Sequence, residues 1–172
     1  MRFVKIIWLF RIRLNILLFS ILLFASSNLA IAQEPPPRPI SVTWKNQNLS
    51  FGSFYQGALG GSVIINSAGG RSVTGSVVPF GVGAFSAALF EVVANPGTVI
   101  SFLKPVSTLT DGLGHSMSLQ IDDTDPASPF VTILPYGTGT PVNIGGILTV
   151  STPAFNPPGD YNGTFDLTFV QE

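Results

Sequence analysis

Beyond residue 40, apolar and polar residues alternate with a period of two over one short run after another. In "ISVTW" (residues 40–44), Ile40, Val42 and Trp44 fall on one side and Ser41 and Thr43 on the other. Sharing that face, Trp44 is expected in the core. Two β-branched-rich runs, 62–66 and 71–78, flank "AGG", where Gly69 and Gly70 can supply the positive φ of a hairpin turn. Residues 84–93 and 98–103 flank "NPG", with Phe90 and Val92 opposite Glu91 and with Ile100 and Phe102 aligned. Further strands are predicted at 117–121, 130–134, 142–150 and 164–170. The last sets Phe165, Leu167 and Phe169 inward against Thr164, Asp166 and Thr168. Gly145 and Gly146 interrupt the run 142–150 and predict a bulge or a close backbone approach. "KNQN", "TDGLGH", the acidic "DDTDPASP", "YGTGTP" and "STPAFNPPGD" read as turns and loops. No segment has a helical period. The pattern predicts an all-β domain, an immunoglobulin-like two-sheet antiparallel β-sandwich, over residues 40–172.

The first 32 residues break the pattern. Arg2, Lys5, Arg11 and Arg13 precede an apolar run, Leu14 to Phe24, and Ala30 and Ala32 stand before Gln33. Charge, apolar core and small residues at the cut are the marks of a secretory signal peptide over 1–32. The apolar run is shorter than the ~20 residues a bilayer span needs, and no span is expected in the mature chain. The protein is therefore expected to be exported through the Sec pathway to the periplasm, cell surface or medium. "QEPPPRP" (33–39) is a proline-rich leader, since proline cannot donate to a ladder. The mature part keeps Arg38, Lys45, Arg71 and Lys104 against all nine acids, with no basic stripe, which excludes nucleic acid as a partner. With no cysteine, the fold rests on its core alone.

The inventory for chemistry is thin. The glycines of "GGSVIINSAGGRSVTG" (60–75) precede strand-forming residues rather than Lys-Ser/Thr and a helix, so they are turn punctuation and not a phosphate cradle. His115 is the one histidine; Ser116 and Asp111 lie close in sequence, but neighbours in a turn do not make a triad. No enzyme activity and no cofactor are expected. Asp122, Asp123 and Asp125 are weak calcium candidates, because Pro126 follows where a calcium loop places a glycine. Among aromatic residues that stack on sugars, Tyr136 in its turn is the ligand candidate. Tyr55 is available as well, while Tyr161 is read as a corner brace bonded to backbone.

"LSFGSF", "GGSVIINSAGGRSVTG", "FEVVANPGT", "VNIGGILTV" and "PPGDYNGTFDLTF", in that order, resemble the bacterial exported family known as domain of unknown function 4402. The likeness covers about residues 40–170 and departs at "SFLKP", where Lys104 replaces an apolar residue. It implies an immunoglobulin-like sandwich similar to fimbrial and spore-coat-type subunits of Gram-negative bacteria, with no established site residues. The expected function is a cell-surface structural or adhesion subunit, fimbrial-like, assembling by β-strand pairing with itself, with other such subunits and with a periplasmic chaperone. Ile40, Val42 and Trp44 are the strand-exchange candidates, although the same run reads equally as the domain's own first strand. The alternative is a monomeric secreted or periplasmic module that binds a glycan or protein through its loops.

Overall fold

A computed structural model of the chain describes residues 38–81 and 83–172. The expected signal segment and most of the leader lie outside these residues. Twelve strands follow in order: β1 (Ser41–Gln47), β2 (Phe54–Tyr55), β3 (Gly61–Ile65), β4 (Arg71–Gly75), β5 (Val78–Pro79) and β6 (Ala88–Val93), then β7 (Val99–Phe102), β8 (Val106–Thr110), β9 (Ser116–Asp125), β10 (Phe130–Val131), β11 (Thr140–Val150) and β12 (Phe169–Gln171). Every pairing is antiparallel, and no helix occurs among the described residues. The fold is an antiparallel β-sandwich.

Strand β11 organises the larger sheet. One of its edges pairs with β9, which carries β8 beyond it. Its other edge serves two partners in succession: β6 from Thr140 to Ile144, then β3 from Gly146 to Val150. Gly145 stands at the handover. A Cβ there would sit 2.3 Å from the Ile65 carbonyl oxygen, so only glycine lets the end of β3 close onto β11. Opposite this point the register of β9 shifts, leaving Asp122 and Asp123 facing the single residue Gly145. The glycine pair thus marks both a close approach and a bulge. β1 flanks β6 and β4 flanks β3; β7 lies between β10 and β12 in the second sheet, and β2 pairs with β5 in a short ribbon.

The core is the inward half of the alternation. Val63 and Ile65, Ala88 and Val92, Met117 with Leu119 and Ile121, and Val142 with Ile144, Leu148 and Val150 come from the large sheet. Ile100, Phe102 and Phe130 come from the small one. Phe169 bridges the layers, its ring 5.3 Å from Phe102 and 6.1 Å from Phe90, and half-buried Phe165 and Leu167 continue its face.

The hairpin between β3 and β4 forms at "AGG". Ile65 pairs with Arg71, and Gly69 donates its amide to the Asn66 carbonyl at 2.9 Å with φ of +79°. Only Gly69 takes the left-handed conformation; Gly70 does not.

Four expectations are corrected. Asp122, Asp123 and Asp125 are not in a loop but in β9, which runs through the acidic stretch to Asp125. "VSTLT" forms β8, for which no strand was predicted. Of the run 164–170, only the end pairs, as β12. Trp44 is not in the core: it is 48% exposed, and every residue of β1 is exposed.

Candidate functional site

A groove of about 1130 Å³ opens over the inner face of the large sheet, between residues 48–56 and 157–165. The deepest part of its floor is already covered, with Ala88, Met117, Leu119 and Leu148 each 2–3% exposed, while Phe90 and Leu109 are half-buried. What the groove offers instead is aromatic and polar. Trp44 comes from β1, Tyr55 from β2 and Tyr161 from the segment before β12.

Each of these rings is held. The Trp44 indole N–H donates to the Gln47 carbonyl at 3.1 Å, across the irregularity in β1 where Asn46 adopts φ of +58°. Tyr55 packs edge-on against Phe80, centroids 5.3 Å apart. The Tyr161 hydroxyl donates to the Pro157 carbonyl at 2.9 Å, bracing the corner through backbone. Burial, and then the negative charge of Asp111, push the Tyr161 phenol above its ordinary value.

The walls are tied down by residues that sequence reasoning passed over. The Arg71 guanidinium donates to the carbonyls of Phe51, Ser53 and Phe80, each at 3.1 Å, and lies 4.4 Å from the Phe85 ring centroid. One side chain thus fastens the 51–53 wall to the 80–85 loop. Asn156, 2% exposed, accepts from the Ser151 amide at 2.7 Å and donates to the carbonyls of Ser116 (2.7 Å) and Phe155 (3.1 Å). A buried asparagine of this kind has no local signature; its role depends on which strand ends meet.

Of the other candidates, only Trp44 reaches the groove. Ile40 is half-buried against the core. Val42 and Trp44, in β1, pair with Val92 and Phe90 of the chain's own β6. Tyr136 is not in the groove; the Arg38 guanidinium stacks on it at 4.5 Å. Asp123 accepts from the Ser67 amide at 2.7 Å and the Ser67 hydroxyl at 2.9 Å, latching the β3–β4 hairpin to the bulge of β9. The Ser67 amide first, against the opposing effect of burial, holds its carboxyl below the ordinary value. Lys104 donates to the Asp122 carbonyl, and Asp125 pairs with Asn143. Among the described residues no three acidic, histidine or cysteine side chains converge to hold a metal ion.

His115 and Asp111 do meet. His115 Nδ1 is 2.5 Å from Asp111 Oδ2, while Asp111 Oδ1 accepts from the amides of Leu113 (2.8 Å) and His115 (3.1 Å). Burial pushes the Asp111 carboxyl up, but these hydrogen bonds together outweigh it and hold the group below its ordinary value. The arrangement caps the β8–β9 turn.

Among the described residues β1, β4, β8, β10 and β12 each have an edge that no strand pairs, and two of these edges bear on function. β1 pairs with β6 alone. On the far side, Leu103 donates to Thr168 and Glu172 donates to Val99, so residues 168, 170 and 172 turn their main-chain groups toward β7. Phe169 and Gln171 therefore turn theirs outward, where no described strand pairs with them, and the main-chain groups of Phe165 and Leu167 bond no described backbone group. The groove, the two edges and the sheets all fall within one stretch of chain, and a family model matches residues 40–170 of it. The chain belongs to the family described as Domain of unknown function (DUF4402). The match runs from the residue before β1 into β12, so the DUF4402 unit is the sandwich itself. No curated protein and no solved structure matches the chain significantly.

Proposed function

We propose that this DUF4402 protein is an exported structural subunit of a bacterial surface assembly, fimbrial in kind, that joins its neighbours by β-strand pairing. The observation that carries the reading is the outward row Phe165, Leu167, Phe169 and Gln171. Phe169 and Gln171 turn their amides and carbonyls away from β7, and the amides and carbonyls of Phe165 and Leu167 just before them bond no described backbone group. Such an edge takes an added strand: main-chain bonds give affinity, and alternate side chains give register. The exposed β1 supports the reading from the donor side. Val42 and Trp44 are already exposed there, so transferring β1 to a neighbour uncovers little core.

The test is assembly of the exported protein, followed by electron microscopy and light scattering. Leu167→Pro removes an amide that bonds no described backbone group and leaves the residues that bond β7 in place. The variant should keep a β-type circular dichroism spectrum and remain monomeric where the parent forms filaments or concentration-dependent oligomers. A parent that stays monomeric at every concentration, or a variant that assembles like the parent, overturns the reading.

A further inference from the structure

We infer that the groove between residues 48–56 and 157–165 is a binding site for a neutral oligosaccharide. This goes beyond the assembly role and does not depend on it. The occupant follows from what lines the groove and from what does not.

An inserted apolar strand would gain its energy by covering an exposed floor, and the deepest floor residues, Ala88, Met117, Leu119 and Leu148, are already covered to within a few per cent. The accessible surface is aromatic. Trp44 is 48% and Tyr55 64% exposed, and Tyr161 lies across from them on the opposite wall. Flat rings with polar tips suit the apolar faces of pyranose rings. All three are fixed before any ligand arrives, by Gln47, Phe80 and Pro157 respectively, so little ordering entropy is lost on binding.

Around the rings stand Asn48, Asp160 and Asn162, whose side chains make no hydrogen bond to any described residue and are free to meet vicinal hydroxyls. Charge decides against an anionic ligand. All four basic residues of the described chain are engaged outside the groove: Arg38 on Tyr136, Lys45 on Glu91, Lys104 on the Asp122 carbonyl, and Arg71 behind the wall on backbone carbonyls. Asp160 is the one charged side chain in the lining. At about 1130 Å³ the groove slightly exceeds the ~300–1,000 Å³ of drug-sized pockets, which is room for more than one sugar ring.

The experiment uses the exported protein and an array of neutral oligosaccharides of three to six hexoses, with titration of each hit. Trp8, the one other tryptophan, lies in the segment expected to be removed, so the emission of Trp44 reports the groove directly. Binding should shift that emission. Trp44→Ala and Tyr55→Ala should each weaken binding by about tenfold, with no change in the thermal midpoint of Trp44→Ala. Tyr136→Ala, outside the groove, should bind like the parent. No hit among the neutral glycans, hits confined to anionic ones, or a Trp44→Ala/Tyr55→Ala double variant that binds like the parent would each overturn the assignment.

Discussion

Replacing Gly145 by alanine should destabilise the sandwich more than any other single methyl group added to β11. The new Cβ would lie 2.3 Å from the Ile65 carbonyl oxygen, 2.8 Å from the Asn66 carbonyl carbon and 3.0 Å from the Ser67 amide nitrogen. All three are backbone atoms, so no side-chain rotation relieves the clash. The end of β3 must move off β11, and the pairing of Gly146 with Ile65 opens with it. Overpacking a tight site costs about 1–3 kcal/mol, and a site whose obstacles are all main chain belongs at the upper end. At about 3 kcal/mol, and roughly 3–4 °C per kcal/mol for a domain of this size, the melting temperature should fall by roughly 10 °C. Gly146→Ala is the control. Its Cβ meets the Leu49 and Leu119 side chains at 3.1 and 3.2 Å and the Gln120 carbonyl at 3.0 Å. Two of those three neighbours can rotate away, so it should cost only about 1 kcal/mol. Urea unfolding followed by far-ultraviolet circular dichroism reads both. A Gly145→Ala variant within about 0.5 kcal/mol of the parent, or a Gly146→Ala variant that loses more, refutes the handover of β11 from β6 to β3.

Asn156→Ala leaves the Ser151 amide and the Ser116 carbonyl without their partner and should cost about 2 kcal/mol in urea. Amide exchange should quicken at Ser151 first. Asp123→Asn should flatten the acid limb of stability. The folded carboxyl titrates below the ordinary 3.8, so its contribution is complete above that value and is lost as pH falls through the lower folded value. Urea midpoints measured from pH 5 downward should drop less steeply for the variant than for the parent. Parallel slopes would remove Asp123 from the latch on Ser67.

Local chemistry was legible wherever it decided the outcome by itself. The turn at Gly69 and the constraint at Gly145 and Gly146 follow from residues that have few alternatives to the conformations they adopt. The inward set Phe165, Leu167 and Phe169 follows from period two, although the pairing of that run does not: only its end meets β7. β8 escaped because "VSTLT" carries only two apolar residues after Pro105 and depends on its neighbour β9 for its place. The acids of β9 looked like a loop because a bulge sets two successive exposed residues, Asp122 and Asp123, opposite one glycine. That breaks the alternation a strand is recognised by, while the strand itself continues.

Trp44 shows where period two stops being informative. Alternation groups Ile40, Val42 and Trp44 on one face, but it does not say whether a second layer lies over that face. β1 ends one side of the large sheet, and along it Ile40 still reaches the core while Val42 and Trp44 are left exposed. The fact that turns this exposed tryptophan into a candidate site is tertiary. Residues 55 and 161, carried by segments more than a hundred residues apart, bring their rings to the same groove, and no spacing along the chain records that meeting. An aromatic ring left uncovered at the end of an edge strand is a cost in water, and in this sandwich the same ring is also pinned by its own N–H to Gln47. A side chain both exposed and immobilised gains most from a flat partner that stacks on it. That is why the proposed oligosaccharide docks in the groove beside Trp44 rather than at the turn of Tyr136.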